Sequence, residues 1–279
     1  VSCPGQNPRA RDTIQNKMDT FNYILKLNSI RSAIIAKDPE RPEPSWVRIT
    51  TITMCSKFLQ DIDLPKFREN FAKLGSVTVR RKGTTAKGFE WKLKDTAFYN
   101  QATIGYEDQY SRKSIKIFPN GSIQVAGCSD LFDCRRILRQ LSFILKVVLG
   151  YEADVPVDEA SVKMINTNFS INASVNLNKI IRKLSMSPMF KVTFDPDRYS
   201  AVKVKFVPKE GQKQVTASIF STGKIIVTGA QTLDEIAHAY EILNNQIDCS
   251  LIVKRVAEPE KFDTILGAKF QDWVPVIAK

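Results

Sequence analysis

The sequence predicts an α+β fold built from a β-α-β-β-β-α unit that occurs twice, and three observations carry the prediction. A short string recurs at a fixed distance, an amphipathic helix follows each copy, and the strands around it alternate apolar and polar residues. Residues 117–127 read IFPNGSIQVAG and residues 219–229 read IFSTGKIIVTG, so Phe118 and Phe220, Gly121 and Gly223, and Gly127 and Gly229 are each 102 positions apart. In both copies a strand ends at Phe, a turn holds Gly, and an alternating strand runs on to a second Gly.

The elements follow in order. Helices are predicted at Ser129–Leu149 and Thr232–Gln246, with Ser129 or Asp130 as the cap of one and Thr232 with Glu235 as a capping box for the other. Leu131, Ile137, Leu138, Leu141 and Leu145 make one apolar face; Leu233, Ile236, Tyr240 and Leu243 make the other. Upstream, each copy opens with a strand (47–55 and 163–172) and a short helix (Leu64–Leu74 and Leu177–Leu184), then a strand near Tyr99–Tyr106 and Tyr199–Phe206.

These boundaries divide the chain into an N-terminal helical extension and Pro-rich linker (1–45), a first repeat (46–150), an acidic linker (151–161), a second repeat (162–249) and a C-terminal tail (250–279). The extension is predicted to be helical over Ile14–Ala36. Residues 76–94 read as a basic hairpin inserted into the first repeat. The tail is expected to dock through its Trp273-Val-Pro-Val end.

Alternation assigns each strand an apolar, helix-facing row and an open row. In the second repeat the open row holds Asn166, Asn168, Ser170, Tyr199, Ala201, Lys203, Lys205, Thr216, Ser218, Phe220, Lys224, Ile226 and Thr228. In the first it holds Tyr99, Gln101, Ser114, Lys116, Phe118, Ser122, Gln124 and Ala126. A half-exposed antiparallel sheet has a polar outer face in any case, which accounts for the Asn, Thr and Lys. It does not account for aromatic residues at matching places in both copies. Exposed aromatics among short polar side chains and lysines suit the DNA minor groove, where apolar wedges open a base step and small polar groups meet the acceptors of the groove floor.

Charge agrees with a polyanionic partner. The chain of 279 residues carries 41 Lys and Arg against 29 Asp and Glu, a formal net charge of +12. No apolar run is long enough to span a bilayer, so no membrane partner is expected, and the start does not read as a secretory signal. Five cysteines without a Cys-x-x-Cys, and the single His238, assemble no zinc-ligand spacing, so no metal or cofactor is expected and a reducing compartment is. His238 falls mid-helix, where a packing or surface role is the common outcome.

IFSTGKIIVTGA (219–230) with the helix LDEIAHAYEILNNQI, the segment FDPDRYSAVKVKF (194–206) and the Asn in MINTN resemble the TATA-box-binding protein family. The resemblance covers roughly 47–149 and 162–248 and is stronger in the second copy. It implies a pseudo-two-fold saddle, a curved antiparallel sheet with helices on its convex face, and a non-enzymatic transcription initiation factor that bends promoter DNA, A·T-rich by expectation. By position it implies DNA-kinking aromatics at Tyr99, Phe118, Tyr199 and Phe220, with Phe98 competing for Tyr99. It implies base contacts at Thr51, Thr53, Gln124, Asn166, Asn168, Ile226 and Thr228, with Thr51 at the family's Asn position in the first copy. Lys116, Lys203, Lys205 and Lys224 are the expected phosphate contacts. Asp195 and Asp197 match an acidic pair that engages a transcription factor IIB-like partner of the RNA polymerase pre-initiation machinery.

The sequence departs from the family where Tyr199 replaces Phe and where Thr53, Gln124, Ala126 and Asn168 make the reading surface more polar. Such divergence suits a large DNA virus, with a viral factory, virion or nucleus as the site of action. Two other readings keep the fold: an accessory module of a nucleic-acid enzyme, and a protein-interaction sheet.

Overall fold

Gly121 and Gly223 turn two hairpins of the same build. Both have positive φ, +79° and +82°, and in both the Gly N–H donates back to the carbonyl of the preceding aromatic, Phe118 or Phe220, at 3.0 and 2.9 Å. A side chain has no room at either turn: a Cβ would lie 2.5 Å from the Phe58 carbonyl oxygen at one and would clash with that of Ala173 at the other.

The computed structural model describes residues 8–79, 89–94, 100–107, 112–128 and 131–255. The elements are α1 (Pro8–Lys37), β1 (Arg48–Lys57), α2 (Leu64–Leu74), β2 (Ser76–Val79), β3 (Phe89–Lys94), β4 (Ala102–Glu107), β5 (Arg112–Ile117), β6 (Ser122–Cys128) and α3 (Leu131–Leu149). They continue with β7 (Ser161–Ser170), β8 (Ala173–Val175), α4 (Leu177–Ser185), β9 (Lys191–Asp195), β10 (Tyr199–Phe206), β11 (Val215–Phe220), β12 (Lys224–Ala230), α5 (Leu233–Gln246) and β13 (Ile252–Arg255). The chain forms two units, one of residues 51–164 and one of residues 1–50 with 165–279, called here the first-repeat and second-repeat units. The predicted caps Ser129 and Asp130 and the Trp273 tail lie outside the described residues.

Each unit has the predicted α+β build. Strands run β2-β3-β4-β5-β6-β1 in the first-repeat unit and β7-β12-β11-β10-β9 in the second, each neighbouring pair antiparallel. The registers coincide: Ala102 pairs Ile117 as Val202 pairs Ile219, and Ile117 pairs Ile123 as Ile219 pairs Ile225. A bulge interrupts β6 between the partners of Ile52 and Thr53, and β12 between Val227 and Ala230. It falls at Gly127 and Gly229, whose φ values are +100° and +101°.

Two sequence expectations change. Lys191, Val192 and Thr193 face Lys205, Val204 and Lys203, as Lys92, Leu93 and Lys94 face Gly105, Ile104 and Thr103. β3 is therefore the counterpart of β9, and the repeat has one more edge strand than predicted. Of the expected inserted hairpin, β2 is the arm without a counterpart in the second-repeat strand order.

The first-repeat core forms where Phe67 and Phe71 of α2 and Ile137, Leu141 and Leu145 of α3 meet Ile104, Ile115, Ile117, Ile123 and Val125. Each such side chain contributes about 1.5–3 kcal/mol. At one end a buried ion pair joins Lys113 to Asp133 at 3.1 Å, and Arg136 reaches the same carboxylate at 2.7 Å.

The extension is part of the second-repeat unit. Tyr23, Leu27, Ile30 and Ile34 recur at helical spacing and are buried, and α1 packs on α5. Lys26 bonds Asp234 and reaches His238 Nε2 at 3.0 Å. The Pro-rich segment after α1 is pinned: Arg41 donates to Asn244, Asp38 accepts from the Cys249 N–H at 3.2 Å, and the Tyr240 hydroxyl donates to the Ser45 carbonyl at 2.8 Å. A linker by composition is thus a strap by contact. Burial lowers the pKa of the Arg41 guanidinium, and nearby Tyr240 and Asp38 oppose the shift.

The predicted capping box is present: Glu235 N–H donates to Thr232 Oγ1 at 3.1 Å, and the Glu235 carboxylate accepts from the Thr232 N–H. No helix among the described residues is long and apolar enough to cross a membrane.

Candidate nucleic-acid interface

Strand pairs place their side chains on a common face, so register assembles the site row by row. In the second-repeat unit, Asn168, Ile226, Ser218, Lys203 and Thr193 form one row across β7, β12, β11, β10 and β9. The next row holds Thr228, Thr216, Lys205 and Lys191, and Thr228 Oγ1 donates to the Thr216 carbonyl at 3.4 Å. Asn166, Asn168, Ile226 and Thr228 are half-buried, whereas Lys203, Lys205 and Lys224 are exposed. Their strand neighbours Thr167, Val204, Ile225 and Val227 are buried on the helix side, as the period of two requires.

One end of this face carries the aromatics. Tyr199, 37% exposed, meets Phe220 edge to face with centroids 5.7 Å apart and ring planes at 70°. Lys203 Nζ stands 4.8 Å from the Tyr199 centroid. Ala201, opposite Phe220 in register, is buried. Asp195 pairs with Tyr199 across the β9–β10 turn, and both Asp195 and Asp197 are exposed; the Asp195 carbonyl accepts from the Arg198 N–H at 3.2 Å.

In the first-repeat unit the equivalent row is Cys55, Gln124, Lys116, Thr103 and Lys94. Beside it run Thr53, Ala126, Ser114, Gly105 and Lys92. Phe118 is half-buried, like its counterpart Phe220. Tyr99 and Phe98 lie outside the described residues. Gln101, expected on the open face, is buried: its amide donates to Thr103 Oγ1 at 3.3 Å, and its carbonyl accepts from Arg68.

Register revises three assignments. Thr53 faces Ala126, the counterpart of Thr228, and Cys55 faces Gln124, the counterpart of Ile226. The position equivalent to Asn166 is therefore Thr53 rather than Thr51, and the one equivalent to Asn168 is Cys55. Thr51 is exposed, two residues earlier on the strand. Lys116 sits half-buried in mid-sheet, where the other unit has Ser218, so it belongs to the floor of the face rather than its flank. Flank cations that sequence reasoning missed are Lys92, Lys94 and Lys191, exposed on β3 and β9. The signal was alternation in two short edge strands.

His238 is half-buried between Lys26 and Gln212, and its Nδ1 lies 3.3 Å from Asp234. It braces α1 on α5, away from the open face. Among the described residues no group of three or more His, Cys, Asp or Glu is arranged to hold a metal ion, and Cys55, Cys128, Cys134 and Cys249 are free thiols.

Two copies of one antiparallel unit, each with helices on one face and amides, hydroxyls, lysines and an aromatic on the other, define a duplicated α+β sheet protein with an open polar face. Residues 160–249 match the family model described as transcription factor TFIID, or TATA-binding protein. A TATA-box-binding protein-like protein of Acanthamoeba polyphaga mimivirus is 27% identical over 232 residues, covering 70% of this chain and 63% of that protein. The TATA-box-binding protein of Methanothrix thermoacetophila is 23% identical over 143 residues, covering 51% of this chain and 74% of the relative. Among solved structures, Methanococcus jannaschii TBP aligns with a TM-score of 0.47 at 14% identity, covering 72% of this chain and 96% of that one. Residues 160–249 are a domain of the TATA-binding-protein family, and the chain is a divergent relative of its viral and archaeal members. The chain spans 63% of the length of the mimivirus relative.

Proposed function

We propose that this protein binds double-stranded DNA in the minor groove and bends it, acting as a TATA-binding-protein-like transcription initiation factor. The observation that carries the reading is the Tyr199–Phe220 pair, standing at one end of the open face of the family domain that also carries Asn166, Asn168 and Thr228. A pair already packed edge to face loses little side-chain freedom on entering a base step. Unstacking the step costs a few kcal/mol, offset by the additional surface that a bent duplex wraps. Asn166 and Asn168 bring amide groups to the groove floor, while exposed Lys203, Lys205 and Lys224 neutralise phosphates and release counterions. The Tyr199 hydroxyl requires a polar neighbour when buried, so this wedge suits a step with an acceptor within reach.

Asp195 and Asp197, exposed on the turn beside Tyr199, form the docking point for a basic surface of a transcription factor IIB-like partner. The setting is the initiation machinery of a nucleus or of a viral factory.

The test is a doubly labelled duplex of A·T-rich sequence. Saturating protein brings the ends together and raises energy transfer; a duplex that binds and stays straight overturns the bending. Binding that does not weaken as salt rises points instead to a protein ligand on the same sheet.

A further inference from the structure

The two open faces carry an amide at different places in the same row. In the second-repeat unit the row begins with Asn168 on β7 and continues with apolar Ile226 on β12; in the first it begins with Cys55 on β1 and continues with Gln124 on β6. The amide has moved one strand inward, about 4.8 Å. It exchanges places with the less polar side chain, and both Gln124 and Ile226 are half-buried on the open side.

From this exchange we infer that Gln124 makes the half-site under the first-repeat unit tolerant of G·C pairs, whereas Ile226 makes its own half-site demand A·T. The inference rests on the minor-groove reading above. In that groove A·T and T·A present acceptors alone, and G·C adds the guanine N2 amino donor. Ile226 has no acceptor to offer, so a guanine amine pressed against it loses its water without gaining a partner. A primary amide is both donor and acceptor. Gln124 can donate through Nε2 to adenine N3 or thymine O2, and it can accept through Oε1 from the guanine amine. The two faces thus read one duplex with unequal stringency, which gives a bound site a direction.

A scan of single G·C replacements along an A·T-rich duplex, read by fluorescence anisotropy with the full chain, tests this. In the unsubstituted protein, replacements in one half should weaken binding by less than about threefold and those in the other by roughly tenfold or more. Gln124→Val and Gln124→Met should raise the tolerant half toward the tenfold penalty, and Ile226→Gln should relax the opposite half. Gln124 lies on the side away from the helices, and an unchanged melting temperature confirms that the variants fold. A scan symmetric in the unsubstituted protein, or unaltered by Gln124→Val, overturns the inference while leaving DNA binding standing. A protein that binds no duplex, or binds with no preference for A·T in either half, overturns the minor-groove reading and this inference with it.

Discussion

Tyr199 and Phe220 meet edge to face, their centroids 5.7 Å apart, on a sheet face otherwise made of amides, hydroxyls and lysines. An aromatic pair of this geometry is worth about 0.5–1.5 kcal/mol beyond the area it buries. Phe220→Ala therefore takes away one ring of the pair and leaves Tyr199 without its support. Phe220→Ala and Tyr199→Ala should each abolish most of the bend measured by end-to-end energy transfer. Tyr199→Phe should preserve the bend and tighten binding at apolar steps. Bending unaltered in both alanine variants would remove these residues from the wedge.

Lys203, Lys205 and Lys224 are exposed on the same face, so each acts mainly through long-range charge. Replacing any one with Gln should lower the slope of log affinity against log salt by about one and leave sequence preference intact. Lys116→Gln should do something different. From mid-sheet it should alter sequence preference more than the salt slope.

The buried Lys113–Asp133 pair predicts a stability effect unconnected with DNA. Its side chains are 1% and 8% exposed, and Lys113→Met takes a buried charge partner from the Asp133 carboxylate. Chemical denaturation should show a loss of about 3 kcal/mol, with Arg136 still holding Asp133. Replacing Lys113 and Asp133 together with apolar residues should recover most of it. A single variant as stable as the parent would mean that the pair adds nothing.

Acid should loosen α1 from α5. The bond from Lys26 holds the Asp234 carboxyl below the ordinary aspartate range. A carboxyl depressed in the folded state contributes stability that is present above its unfolded pKa and lost as pH falls through the folded one. The melting temperature should therefore drop below about pH 4 more steeply in the parent than in Lys26→Met. Asp234 is largely solvent-exposed, so the effect should shrink as salt is added. Identical acid limbs in the two proteins would sink this account.

How far the sequence alone led can be judged from particular residues. Gly121, Gly223, Gly127 and Gly229 were legible because a turn and a bulge with positive φ leave few alternatives to glycine. The helix faces and the Thr232–Glu235 cap were legible for the same reason, each being a local rule. Thr51 and Thr53 could not be told apart, because a slip of two residues keeps every side chain on its face; only the pairing of Thr53 with Ala126 decides. β9 was missed because it is a short edge strand with no fully buried residue. Gln101 lay on the predicted side, yet its burial depends on Thr103 and Arg68, contacts that no periodicity reports.

The second-repeat unit is built from residues 1–50 and 165–279, so the chain completes the first-repeat unit while its partner is still in two pieces. During synthesis α1 emerges roughly 200 residues before α5, an interval on the order of ten seconds or more at ribosomal rates. For that interval Leu27, Ile30 and Ile34 have no α5 to cover them. Transiently exposed apolar surface of this kind makes a nascent chain prone to aggregate. A fragment that stops short of Leu233 never leaves that state.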